Sequence, residues 1–243
     1  MSARMTLLLA LMLTLPLAVG FPRSLRQRPL LIETGQFHGD EIAARRGQVW
    51  LGLYVNGHEA VLRYSKIRVR TVFDDVTDHG SKRKTGKSVS VSGPHKPVFL
   101  TRAGTGLIPG SVISVFDQKK LNPEQTLEKG PVRLKLGRRT YVLKVISPDK
   151  NPSPCRDQAF PRNAKLVLVT GKSSQTLYTL DDCGNDPYWY LVWAGDLDRD
   201  GKLDLYVDVT QHYDVSERRL FLSAPARRGR LVKEVAAFVT GGC

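Results

Sequence analysis

Cysteine is scarce in this chain, with three among 243 residues, at positions 155, 183 and 243. No two of them have the close spacing of a zinc motif, so a structural role is the expectation for them over a catalytic thiol. Histidine is equally thin: His38, His58, His79, His95 and His212 are scattered and show no ligand spacing. His58-Glu59 begins as a zinc-protease helix motif does, but residue 62 is leucine and the setting reads as a strand. The nucleophile-elbow pattern Gly-x-Ser-x-Gly is absent. Gly80-Ser-Lys-Arg-Lys-Thr-Gly-Lys-Ser88 looks like a phosphate loop, yet five residues separate its glycines where the Walker pattern has four. Asp74-Asp75 and Asp181-Asp182 are poor acid/base pairs, because adjacent residues on a strand point to opposite faces, and they read as loop carboxylates. Past the first twenty residues no apolar stretch reaches the roughly 20 residues that a membrane-spanning helix needs.

What is present begins with Met1-Ser-Ala-Arg4, an apolar run from Met5 to Val19, and then Gly20-Phe-Pro. That is the charged, apolar and small-residue order of a secretory signal, so residues 1–20 are expected to be removed after Gly20. Pro16 interrupts the run, and no cysteine follows to carry a lipid. The expected location is therefore the periplasm or the exterior of the cell. In an oxidising compartment three cysteines imply one disulfide and one leftover thiol. All three pairings remain open, with a bridge through Cys183 favoured because it would staple the aromatic strand that follows to a terminal or linker segment.

Short runs of β-branched and aromatic residues recur along the rest of the chain, separated by turn signals. They include Gly47 to Val55, His58 to Tyr64, Lys66 to Val72, Pro97 to Thr101, Val112 to Phe116, Val132 to Leu136 and Thr140 to Ile146. Asn56-Gly57 marks a hairpin. Only Asn122 to Lys129 leaves room for a helical turn. Ser147 to Pro154 holds three prolines and no periodicity, so residues 147–162 read as a linker. On that reading residues 21–146 form a basic β-rich domain and residues 163–243 a second one, with strands at Lys165 to Thr170, Gln175 to Leu180, Tyr188 to Trp193, Leu203 to Val209, Arg219 to Ser223 and Leu231 to Val239. The fold class is all-β, sandwich or barrel-like, with few helices. Trp189, Leu191 and Trp193 share one side of their strand, and core packing is the expectation over a platform for stacking sugars.

Charge divides at the same place. Residues 21–146 hold 23 Lys/Arg against 10 Asp/Glu, whereas residues 147–243 hold 13 of each. The excess includes Lys82-Arg-Lys84 with Lys87, the alternating Lys66, Arg68 and Arg70, and Arg23, Arg26 and Arg28. Such a surface outside the cytoplasm suits an anionic envelope polymer or an acidic protein. Nucleic acid is disfavoured by the compartment and by the absence of a nucleic-acid module.

The most informative run is Asp196-Leu-Asp-Arg-Asp-Gly-Lys-Leu-Asp204. Asp196, Asp198, Asp200 and Asp204 would supply carboxylates, the Lys202 carbonyl a backbone oxygen, and Gly201 the sharp turn. Calcium, which takes about six to eight oxygen ligands, is the ion such a set favours. An EF-hand is excluded, since position 12 of the loop is Val207 in place of a bidentate glutamate. Ala194-Gly-Asp-Leu-Asp-Arg-Asp-Gly-Lys-Leu-Asp-Leu205 resembles the calcium loops of FG-GAP/VCBS-type repeats, found in integrin α-subunits and bacterial surface proteins. The resemblance covers about a dozen residues in a single copy. It implies metal ligation by Asp196, Asp198, Asp200, Lys202 and Asp204. The resulting expectation is a secreted or periplasmic, calcium-stabilised β protein acting as a non-catalytic binding or structural module; the alternative is an extracytoplasmic metal-dependent hydrolase.

Overall fold

The computed structural model describes residues 31–57, 59–102, 104–115, 127, 130–148, 155 and 160–241. The expected signal segment and basic leader, Cys243, and the expected helical turn at 122–129 apart from Leu127 lie outside these residues. The chain is all-β, as its sequence pattern predicts. Fifteen strands follow in order: β1 (Leu31–Ile32), β2 (Gly35–Phe37), β3 (Val49–Asn56), β4 (Glu59–Val72), β5 (Gly86–Val91), β6 (Phe99–Thr101), β7 (Gly110–Ser114), β8 (Val132–Leu136), β9 (Arg139–Ile146), β10 (Lys165–Thr170), β11 (Ser173–Thr179), β12 (Tyr188–Asp196), β13 (Asp204–Thr210), β14 (Val215–Leu222) and β15 (Lys233–Gly241).

The larger sheet runs β1-β6-β3-β4-β7-β12-β13-β14-β15, with β5 on the second half of β4 and β2 on β5. Its two end strands, β1 and β15, come into contact, so the sheet is nearly closed into a barrel. Closure hides the edges that an open antiparallel sheet would leave exposed. The second sheet has the order β11-β10-β9-β8. The 147–162 segment does not coincide with a break in pairing. β9 before it pairs with β10 after it, Ile146 opposite Lys165, and β7 pairs with β12, Ser114 opposite Gly195. Prolines end a strand whether or not the next strand returns to the same sheet, so the composition marks a connection and not a separation of sheets. Cys155 in that connection is bridged to Cys183, with Cα atoms 5.6 Å apart, which uses the cysteine favoured from the sequence.

Two runs expected as separate strands merge into β4, because no turn residue interrupts Tyr64-Ser-Lys66. Its first part pairs with β3 and β7, and residues 67–72 pair with β5. The Asn56-Gly57 hairpin forms as expected, with Asn56 opposite Glu59 and Gly57 at φ 60°. β8 keeps clean alternation, with Val132, Leu134 and Leu136 buried and Arg133 and Lys135 exposed.

β13 is buried at all seven positions, so both of its faces are covered. One face looks into the barrel: the Tyr206 ring meets Phe99 of β6 at 5.1 Å, and its hydroxyl donates to Glu33, just past β1, at 2.6 Å. Arg218 on β14 joins this inner group, donating to Glu33, to Asp208 at 3.0 Å and to the Tyr190 hydroxyl. The other face meets the second sheet, where Trp189 packs on Phe160 at 4.8 Å and on Tyr178 of β11 at 5.7 Å. Trp189 and Trp193 have no exposed surface, consistent with core packing. Polar contacts fasten the sheets as well. Tyr178 donates to Glu217 of β14, and Gln175 of β11 holds the backbone of Leu231 and Val232.

Candidate metal centre

Asp196 ends β12 and Asp204 opens β13, adjacent antiparallel strands in which Gly195 lies opposite Asp204. The hairpin therefore brings the two ends of the acidic run together, and residues 197–203 fold back between them. Leu197 and Leu203 are buried and plug this connection into the core. Two residues at its tip take left-handed backbone angles, Arg199 at φ 62° and Gly201 at φ 77°. Glycine accepts that conformation without cost, whereas arginine is held there by its own side chain. Arg199 donates to the carbonyl of Ser111 at 3.0 Å and to that of Ile108 at 3.2 Å, clamping the loop to the start of β7. Gly110 leaves the space: a Cβ there would stand 2.7 Å from the Arg199 guanidinium.

Asp196, Asp198 and Asp204 each place a carboxylate oxygen within 4.8 Å of the others. These three can hold a metal ion, and an all-oxygen set suits a hard cation. Asp200 lies beside them with its carboxylate turned to the Lys202 ammonium at 2.7 Å and the Ser223 hydroxyl at 2.8 Å. Lys202 is placed against Asp200 by both its ammonium and its backbone N–H.

Backbone donors organise the same oxygens. Asp196 accepts the N–H groups of Asp200 and Gly201, and Asp198 accepts that of Ala224 at 3.0 Å. Asp204 accepts the N–H groups of Leu197, Asp198 and Ser223 and the Ser223 hydroxyl. Burial, followed by the charge of Asp198, nonetheless pushes the Asp204 carboxyl up to about 7. Asp198 is also raised, first by burial. For Asp200 burial acts upward, but the hydrogen bonds from Lys202 and Ser223 outweigh it and bring the carboxyl down. A bound cation would compensate this crowding, because it favours the charged form of every carboxylate around it.

Ser223 and Ala224 belong to the β14–β15 connection and escape a reading of the sequence. Ser223 stands 19 positions from Asp204, and an isolated serine after a strand carries no motif. Arg199 stands between two of the candidate ligands, and nothing in the sequence signals its bonds to Ile108 and Ser111.

A second feature concerns the basic residues. Arg46, Lys66, Arg68 and Arg70 line a groove of about 750 Å³ along β4, with Ile67 buried beneath them. None of these four cations has a carboxylate partner among the described residues. Lys87 of the other predicted basic cluster points elsewhere, donating to the Ile42 carbonyl at 2.7 Å. Among the described residues no helix is long and apolar enough to cross a membrane. Comparison with protein-family models, with curated proteins and with solved structures returns no match.

Proposed function

We propose that this chain is an extracytoplasmic binding module, stabilised by calcium at Asp196, Asp198 and Asp204, whose basic β4 face holds an anionic envelope polymer or an acidic protein. The observation that carries the binding role is the β4 groove. Alternation on the strand sends Lys66, Arg68 and Arg70 to one side, and Arg46 joins them, so four charges with no carboxylate partner among the described residues border one concavity. Like charges collected without internal partners raise the local potential and draw in a polyanion. A calcium ion fits the metal group because all its donors are carboxylate oxygens. Its role is read as structural and not hydrolytic, since Asp196 and Asp204 are buried at the joined ends of β12 and β13, where a substrate has little access. The Cys155–Cys183 bridge agrees with an oxidising compartment.

Binding of polygalacturonate and of poly-glutamate to the intact chain and to an Arg68→Gln/Arg70→Gln variant tests the groove. The intact chain is expected to bind one of the two with a steep loss on added salt, and the variant to bind it at least tenfold more weakly. Equal binding by both proteins removes the groove from the function.

A further inference from the structure

The balanced charge count of residues 147–243 conceals a second concentration of cations, far in sequence from β4. Arg227-Arg-Gly-Arg230 forms the tip of the β14–β15 connection. It borders a cavity of about 340 Å³ together with Lys202 from the acidic loop and Arg139 and Thr170 from the second sheet. Among the described residues no carboxylate lines this cavity, Asp200 standing behind its wall on Lys202 and Ser223, and it shares no lining residue with the β4 groove.

The arginine turn is built and not merely a solvated excursion. At its base the Ala226 N–H donates to the Ser223 carbonyl at 3.0 Å, and across it the Arg230 N–H donates to Arg227 at 2.9 Å. Gly229 takes φ 85°, which lets the turn close between two arginines. On the far side Gln175 of β11 accepts the N–H groups of Leu231 and Val232 and donates to the Val232 carbonyl. The opposite wall is fixed by β9 and β10, with the Thr170 hydroxyl donating to the Thr140 carbonyl at 3.0 Å. Two sheets thus hold five cations around one opening.

Among the described residues Arg139, Arg227, Arg228 and Arg230 have no carboxylate partner, and Lys202 alone is paired, with Asp200. Guanidinium groups with no internal anion, gathered around a concavity, match the forked hydrogen bonding of a tetrahedral oxyanion. The size is at the lower end of ligand pockets, which run from about 300 to 1,000 Å³. Among the described residues its one aromatic is Tyr141, which is buried and offers no exposed ring to a nucleobase.

We infer that this cavity is a binding site for a phosphate or sulfate monoester group, held by Arg139, Arg227, Arg228, Arg230 and Lys202. The group is carried either by a small molecule or by a repeating polymer. Calorimetric titration of the calcium-loaded full chain, dialysed free of excess calcium, with glycerol 2-phosphate tests the site, alongside Arg228→Gln/Arg230→Gln and the groove variant Arg68→Gln/Arg70→Gln, with folding checked by circular dichroism. The intact chain and the groove variant are expected to bind one equivalent, and the cavity variant to bind at least tenfold more weakly. Absence of saturable binding to the folded intact chain overturns the inference. So does equal binding by the cavity variant, or a loss confined to the groove variant, which would move the anion to β4. A second arm replaces the probe with linear polyphosphate. Tighter binding per phosphate than the monoester, again lost in the cavity variant, assigns a polymer; equal binding per group assigns a small molecule.

Discussion

Asp74 and Asp78 show how much local order one carboxylate can impose. Asp74 accepts the His38 ring nitrogen at 2.7 Å and the backbone N–H groups of Val76 and Thr77, while Asp78 accepts those of Asp74 and Thr85. The hydrogen bond from His38, followed by that from Thr77, lowers the Asp74 carboxyl from 3.8 to about 2. A folded pKa below the unfolded one contributes stability that is present above 3.8 and is lost as the pH falls through about 2. Urea unfolding across that range is expected to show the intact chain losing stability on acidification and Asp74→Asn losing less, from a lower starting value. Identical pH profiles would mean that the pair contributes nothing. From the sequence this residue reads as a loop carboxylate, and it lies just past β4, outside any strand. Its contact with His38 was not legible, because it joins positions 36 apart in the chain.

Among the elements, the β12–β13 hairpin and its acidic loop were the most legible, since alternation and the spacing of the aspartates are local signals. The contacts that hold the loop were not. Ser223, Ala224 and the carbonyls of Ile108 and Ser111 arrive through tertiary pairing alone. Arg199→Ala removes both bonds to the β7 side while leaving every carboxylate in place. It is expected to destabilise the protein by about 1 kcal/mol in denaturant unfolding; an unchanged midpoint would show that the clamp is dispensable. β1, β2 and β5 went unread, the first two at two and three residues and the third within a run rich in lysine and serine. Such segments become strands because a neighbour presents a free edge to them.

For the whole molecule, closure depends on a polar bond across the barrel. Glu33 follows β1, at one end of the sheet path, and reaches Tyr206 and Arg218 on strands near the other end. Arg218 also holds Asp208, whose side chain is 4% exposed. Arg218→Met is therefore expected to cost about 3–5 kcal/mol, because it leaves two carboxylates without their cation in a mostly dry interior. Glu33→Gln, which keeps a hydrogen-bond acceptor, is expected to cost less, and guanidinium unfolding of both variants checks the order. Equal, small losses would place closure in apolar packing instead. The all-β architecture was evident in the sequence, while the pairing of strands across residues 147–162 was hidden, because prolines record where a strand stops and not where the chain returns.

The central claim is that Asp196, Asp198 and Asp204 form a structural calcium site, and thermal unfolding with calcium and with excess EGTA tests it most directly. An ion present at about 100 times its dissociation constant contributes about 2.7 kcal/mol. For a chain of this size that corresponds to a rise in Tm of about 5–10 °C. The account predicts such a rise in the intact chain, its loss in Asp198→Ala, and a smaller but surviving rise in Asp200→Ala, whose carboxylate is turned to Lys202 and Ser223. An intact chain that melts at the same temperature with calcium and with EGTA would contradict it.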